Sequence, residues 1–464
     1  MNTYMQTMHT YLKDLDDLDD VLDTIIAETD EPLITEEHTL DIIETALHLM
    51  EHYIEENPHM IAEEDFKEEL IEEVSELFYT QFEHLDVNSE DEDDVEDLLE
   101  HAFDIFFSTF YSERSLLSVT NETEKDKEKY NHCMDNKIAS QIDYLRSRPQ
   151  PTQRTQEWYD FRHNLITASN AYKAFESQAM MNQLIYEKCQ PLKKVDENSV
   201  QPMVNVNTTF HWGQKYEPLS VMLYENMYNT KVEDFGCIQH STYSFLGASP
   251  DGINVDESSE RYGRMLEIKN IVNREITGIP KKEYWVQMQL QMEVCDLDMC
   301  DFLETKFVEY ESYADFVNDG IKDTDKTAKG ELKGVMLYFN TKESRPFYVR
   351  KPLDIINYDT INAWEEEMID KYQSAEHNMM WIKSIYWKLE KLSCVLVLRN
   401  KQWFEQHIGQ LENIWKIIEK ERVTGYEHRA PNKRVKKDGS SNYDAFGLGQ
   451  NNGCLIKINK LQTE

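Results

Sequence analysis

The stretch "FLGASPDGINVDESSERYGRMLEIKNI", residues 245–271, decides how the chain is read. Its apolar residues outline two or three packed strands. Yet it carries Asp251 behind a proline, then Glu267 and Lys269 on either side of Ile268. Side chains alternate along a strand, so in "GRMLEIKNI" Glu267 and Lys269 share one face, while Leu266 and Ile268 share the other and enter a core. Pro250-Asp251-Gly252 reads as the turn-like end of a preceding hairpin, which can bring Asp251 beside Glu267 across 15 intervening residues. Two carboxylates so placed repel, raising one pKa, unless a cation lies between them. Mg²⁺ suits such a place, because it takes oxygen ligands at about 2.0–2.1 Å and keeps several waters. A lysine one pleat away can orient or deprotonate the attacking water. Together the parts describe metal-assisted attack on a phosphodiester. Taken singly, Glu-x-Lys on a strand is usually a solvated face and Pro-Asp-Gly usually a turn. The combination, in this order and in an α/β setting, carries the reading.

Outward from this stretch, residues 154–375 mix helices and strands. "TQEWYDFRHNLITASNAYKAF" predicts two short helices around a turn, and "EPLSVMLYENMY" and "KKEYWVQMQLQMEVC" predict helices. "DFGCIQHSTYSFLGASPDGINV" predicts a hairpin, "KGVMLYFN" and "RPFYVRK" later strands, and "YDTINAWEEEMIDKYQ" a helix. Strands bracketed by helices indicate an α/β core with a mixed central sheet. Residues 1–115 predict an acidic α-helical domain. Leu40, Ile43, Leu47, Met50 and Ile54 recur at helical spacing, as do Phe66, Leu70, Val74, Leu77 and Phe78, and Leu99, Ala102, Phe103, Phe106 and Phe110. Residues 116–153 read as a linker, with "RSRPQPTQR" extended at its prolines. "MMWIKSIYWKLEKL" and "WFEQHIGQLENIWKIIEKE" place C-terminal helices over 376–424, and 425–464 reads as a basic, polar, disordered tail.

The formal net charge of the 464 residues is −40. Residues 1–110 hold 35 Asp and Glu against Lys13 and Lys67, a net of −33, which leaves −7 for the remaining 354 residues. An acidic chain argues against a nucleic-acid partner, but here the acidity belongs to one segment and the rest is near neutral. Seven cysteines without a CxxC pair suggest neither a zinc site nor a disulfide framework. With no secretory signal and no apolar run of about 18 residues, the expectation is a soluble intracellular protein without membrane association.

The P-D…E-I-K order resembles the PD-(D/E)XK nuclease superfamily. The flanking blocks resemble its lambda-exonuclease-like, YqaJ-type viral recombinase (alkaline exonuclease) group more closely, in the wording found in large eukaryotic DNA viruses. Four blocks occur in the family's order: "EWYDFRHNLITAS" (157–169), "WGQKYE" (212–217), "GASPDG" (247–252) with "LEIK" (266–269), and "VQMQLQMEV" (286–294). The resemblance implies a restriction-endonuclease-like core. It implies metal ligation by Asp251, Glu267 and the Ile268 carbonyl, with Glu217 in support, and a catalytic Lys269. Arg162, Ser169, Ser249 and Gln287 would grip the terminal 5′ phosphate, with Gln289 as the competitor to Gln287. Arg162 offers a planar fork of donors suited to phosphate, and Gln287 and Gln291, at i and i+4, put a polar stripe on an apolar helix. Pro218 biases Glu217 away from helix, placing it at a helix start or kink.

The activity implied is Mg²⁺-dependent DNA hydrolysis (Mn²⁺ substituting), 5′→3′ on double-stranded ends, in viral recombination, repair or genome processing. The partners implied are duplex DNA, a single-strand annealing protein and further copies of the chain. The setting is the host cytoplasm or nucleus. Two alternatives stand beside it: an endonuclease or RNA-cleaving alkaline nuclease, and a non-catalytic DNA-binding scaffold, against which the intact Asp251, Glu267 and Lys269 set argues.

Overall fold

The computed structural model describes residues 36–57, 60–63, 65–82, 92–107, 116–117, 137–192, 204–321 and 324–431. The apolar stripes of the acidic segment fold as helices α1 (Glu36–Glu56), α2 (Phe66–Phe82) and α3 (Glu92–Ile105). Ile43, Leu47, Met50, Ile54, Leu70, Val74, Leu99 and Phe103 are buried between them. Leu40 and Leu77, expected in the stripes, face outward instead. Phe110 and residues 1–35 lie outside the described residues.

Part of the expected linker, residues 116–117 and 137–147, is regular structure, and residues 118–136 lie outside the described residues. The regular elements are β1 (Leu116–Leu117) and a helix, α4 (137–147), whose Ile142 and Leu145 are buried. Gln141 Nε2 on α4 donates to Cys295 O at 2.7 Å, and Arg146 pairs with Glu233 at 2.6 Å. Two apolar residues three apart suffice to dock one face of a short helix, and the polar remainder hid it.

Next come α5 (Gln156–His163), β2 (Ile166–Thr167), α6 (Ala168–Ala171), α7 (Gln178–Cys189) and α8 (Thr209–Tyr228). They are followed by β3 (Val232–Glu233), β4 (Ile238–Gln239), β5 (Leu246–Ala248), β6 (Gly252–Asn254), β7 (Met265–Asn270), α9 (Lys282–Cys295) and β8 (Met299–Glu309). The chain closes with α10 (Tyr313–Asn318), β9 (Lys333–Asn340), β10 (Pro346–Arg350), α11 (Tyr358–Gln373), β11 (Met380–Leu398) and α12 (Lys401–Thr424). The expected mixed sheet is present, in the order β10-β9-β11-β8-β7-β6-β3, with β1 added beside β11. Among the described residues only β7 and β8 pair in parallel within it, and α9 is their crossover. A second sheet, β2-β5-β4, holds the first part of the hairpin read over 234–255, while its last part, β6, pairs with β7 in the main sheet. Among the described residues no helix is long and apolar enough to cross a membrane.

Residues 380–398, expected as helix and placed outside the core, are a long strand in the middle of the sheet. β11 lies between β8 and β9 and pairs antiparallel with both. Register shifts between Trp381 and Lys383 and between Leu389 and Lys391 break its alternation, so no single period of two runs through it. Pairing on both edges overrides the helical spacing that the broken pattern imitates. α12 is a helix as expected. Of the tail, residues 425–431 are described and include a 3₁₀ turn at Glu427–Arg429; the rest lies outside the described residues.

The strand β8 has no apolar alternation because it carries buried acids. Asp301 is fully buried against Arg261, Arg264 (3.3 Å) and the Tyr224 hydroxyl (2.5 Å), and Asn254 Nδ2 donates to that hydroxyl at 3.0 Å. These partners ride on α8, on β6 and on the β6–β7 turn, so Asp301 ties the strands that present the site to the centre of the sheet. Removing it takes the shared carboxylate from two buried guanidiniums, and breaking a buried ion pair costs about 3–5 kcal/mol. Asp301→Ala is therefore expected to lower the urea midpoint sharply, with Asp301→Asn less damaging. A wild-type midpoint for the alanine variant would contradict the role given to this carboxylate.

Candidate active site

Asp251 ends the turn before β6, and Glu267 and Lys269 stand on β7. β6 and β7 pair antiparallel, Gly252 opposite Leu266. Gly252 is required there, since a Cβ would meet Val232 Cγ1 at 2.2 Å. The Asp251 N–H donates to Leu266 O at 3.2 Å, and the Ile268 N–H donates to Asp251 Oδ2 at 2.7 Å. Backbone pairing thus sets the Asp251 carboxylate against β7 at Ile268. Alternation then sorts the neighbours: Leu266 and Ile268 pack with Tyr224 of α8, while Glu267 and Lys269 turn toward α9.

Glu267 is 1% exposed. A carboxylate this buried needs several donors. Gln287 Nε2 reaches Oε1 at 2.8 Å and Gln291 Nε2 reaches Oε2 at 2.7 Å. Lys269 Nζ pairs with Oε1 and lies 4.7 Å from the centre of the Tyr284 ring. Gln291 also donates to Ser249 O at 3.2 Å, tying α9 to the loop before Asp251. Gln289 points elsewhere: its side chain bonds Leu398 O and the Asn400 N–H, where α12 begins. Of the two glutamines weighed, Gln287 is the one at the site. Glu293 pairs with Arg399 at 2.8 Å, away from it.

One cavity of about 440 Å³ gathers Arg162, Ser169, Glu217, Ser249, Asp251, Gln287 and Gln291, together with Gln153, Arg154, Trp158, Phe210 and Gln214. Arg162 donates to Ser249 Oγ at 3.2 Å and covers the Trp158 ring at 4.7 Å. Ser169 Oγ stands 3.4 Å from Thr167 Oγ1, at the start of α6. The helix that carries Arg162 is fastened from behind. Lys188 Nζ donates to Arg162 O at 2.8 Å, and Arg422 of α12 donates to His163 O at 2.6 Å and to Lys188 O at 3.0 Å. Burial, Arg162 and Arg422 push the Lys188 ammonium down to about 8. Lys188 and Arg422 fall outside every motif block, so only the fold brings them here. Glu217 does not start a helix: α8 begins at Thr209 and runs through Pro218.

The electrostatics are those of crowded acids. Burial raises the Asp251 carboxyl well above its ordinary range, and Glu267 and Glu217 raise it further. Glu217 is solvent-exposed at the cleft, yet the surrounding protein, Glu267 and Asp234 raise it too. Burial works against the Lys269 charge, but Glu267 and Asp251 outweigh it and hold the ammonium above its usual range. Three carboxylates and one lysine leave the pocket floor negative, and an all-oxygen donor set suits a hard divalent cation. Among the described residues no three His, Cys, Asp or Glu side chains form a ready-made cage. The residues therefore fit an ion that takes few protein oxygens and completes its shell from water and phosphate, as Mg²⁺ does.

The chain resembles known proteins over the segment that holds these residues. Residues 157–298 match the YqaJ-like viral recombinase domain family. That segment, which carries the P-D…E-I-K strands, is similar to that family. An uncharacterised protein of Acanthamoeba polyphaga mimivirus is 30% identical over 332 residues, 65% of this chain and 58% of the relative. The chain thus spans somewhat over half the length of that relative. Among solved structures, the alkaline exonuclease LHK-Exo of Laribacter hongkongensis matches 48% of this chain and 93% of its own, at 23% identity and a TM-score of 0.27. LHK-Exo in complex with dAMP matches 59% and 95%, at 18% identity and a TM-score of 0.31.

A raised Asp251 pKa means that the folded state favours the protonated form. The stability this group contributes is complete below the ordinary carboxylate range and is lost as pH rises through its folded pKa. At neutral pH in EDTA, Asp251→Asn should therefore melt higher than wild type, since Asn still accepts from the Ile268 N–H. Adding Mg²⁺ or Mn²⁺ should stabilise wild type more than the variant. A lower-melting variant with an undiminished gain from the cation would contradict this.

Proposed function

We propose that the chain is a divalent-metal-dependent DNA nuclease, acting as a 5′→3′ exonuclease on double-stranded ends in viral DNA recombination and repair. One observation supports this above the others: Asp251 lines a cleft with the Arg162–Ser249 pair, and the Gln287 and Gln291 that line it bond Glu267, which pairs with Lys269. The cleft offers carboxylates for a cation and donors for an anion, the two demands of a bound phosphodiester.

On this reading Asp251, Glu267 and the Ile268 carbonyl hold Mg²⁺ or Mn²⁺, with Glu217 in support. Bound there, the ion screens phosphate charge and acidifies the attacking water. The protein's own groups do the rest. Gln287 and Gln291 fix the Glu267 carboxylate by both oxygens, so it does not swing when substrate enters. Lys269, kept protonated by its two acids, donates a hydrogen bond toward the water or a phosphate oxygen. Arg162, stacked on Trp158 and aimed by Ser249, takes the terminal 5′ phosphate through its planar fork, with Ser169 and Gln287 beside it. Trp158 Nε1 and Gln291 Oε1 are buried at this cleft without hydrogen-bond partners among the described residues, which suits a site completed by substrate and water. Duplex DNA is then the substrate, and a strand-annealing protein and further copies of the chain are the partners that the family resemblance suggests.

End-labelled linear duplex, with and without a 5′ phosphate, tests the reading in Mg²⁺ and in EDTA. Wild type should degrade the 5′-phosphorylated strand only with the metal. Lys269→Ala should be about 10²–10⁴-fold slower. Arg162→Ala should lose most of the preference for a 5′ phosphate while still cutting. Equal cutting of covalently closed circles would replace exonuclease by endonuclease. A wild-type chain that cuts neither DNA nor RNA would overturn the reading.

A further inference from the structure

Arg154 is the residue whose placement the site described above does not explain. It sits in the turn that leads into α5, with φ of 67°. That is the left-handed region, where glycine is at ease and an arginine is strained. The turn is closed on both sides of it: the Thr155 N–H donates to Thr152 O at 3.3 Å, and Thr155 Oγ1 caps α5 by accepting the Trp158 N–H at 3.2 Å. Neither bond uses the Arg154 side chain.

The side chain is exposed and lines the same cavity as Arg162, Glu217 and Asp251. It makes no hydrogen bond or ion pair among the described residues, although carboxylates line the cavity with it. The other arginines nearby are engaged. Arg162 holds Ser249, and Arg350 donates to Lys215 O at 2.7 Å. His211, at the first turn of α8, is held below its ordinary pKa by burial, Lys215 and Arg154. A strained backbone that carries a guanidinium in a ligand cleft, with no side-chain bond among the described residues to repay the strain, is a pattern of functional sites.

We propose that Arg154 takes a backbone phosphate of the bound strand at the mouth of the cleft, a different phosphate from the one gripped by Arg162. This rests on the DNA-nuclease reading and adds to it a second anchoring point. Arg162 reads the strand's end, and Arg154 sets the direction in which the strand leaves it.

The test is equilibrium binding of fluorescent, 5′-phosphorylated duplex in EDTA, across a KCl series, with melting temperatures measured alongside. Arg154→Gly removes both the strain and the charge. It should melt at or above wild type, bind about ten-fold more weakly, and show a slope of log K against log salt shallower by about 0.9, the value for one phosphate contact. Arg154→Lys should restore that slope. In the cutting assay, Arg154→Gly should keep the wild-type ratio between 5′-phosphate and 5′-hydroxyl ends, which separates it from Arg162→Ala. Wild-type affinity and slope in Arg154→Gly would overturn this assignment alone. Failure of wild type to bind duplex at any salt concentration would overturn the nuclease reading along with it.

Discussion

Glu267 is a carboxylate taken almost wholly out of water, and the architecture follows from what it needs. Two amides from consecutive turns of α9 and one ammonium from its own strand satisfy it. That requirement fixes α9 in rotation and height against β7. Because α9 is also the crossover from β7 to β8, it fixes the parallel pair at the centre of the sheet. The same Gln291 amide holds Ser249 O, so the loop presenting Asp251 is drawn to the same point. A single buried charge thus aligns a strand, a helix and a turn, and a cleft capable of chemistry results.

The second buried acid, Asp301, works behind the site. Its arginine and tyrosine partners lock the β6–β7 hairpin and α8 to β8. Asp251 and Glu267 ride on this hairpin, and Glu217 rides on α8. Glu304 on the same strand pairs with Arg274 in the segment after β7. Buried acids thus brace the sheet behind the site. The acidic N-terminal helices join the core near the same place. Lys282, the first residue of α9, pairs with Glu63 at 2.5 Å and with Glu176 at 3.4 Å. The most acidic part of the chain thus meets the core on the helix that grips Glu267.

The pairing of Asp251 with Glu267 was legible in the sequence because strand alternation and a turn before β6 are local rules. The buried stripes of α1 to α3 were legible for the same reason. Gln287 and Gln289 could not be separated by spacing, since both lie on a helix buried nearly all round; only the position of α12 shows that Gln289 serves Asn400. β11 was misread because two register shifts scramble its alternation. β8 drew no strand reading because Asp301 and Glu304 interrupt its apolar run, and their arginine partners are distant in sequence. Lys188 and Arg422 had no signal at all, being ordinary cations until the fold sets them behind α5. What escaped was in each case decided by pairing or charge compensation between remote segments.

The most direct test is anomalous diffraction from crystals grown with Mn²⁺ and a short 5′-phosphorylated duplex. The account predicts a peak within coordinating distance of both Asp251 and Glu267, with a phosphate oxygen on its open side. A peak bound elsewhere, or duplex seated in the cleft with no ion between these two carboxylates, would contradict it.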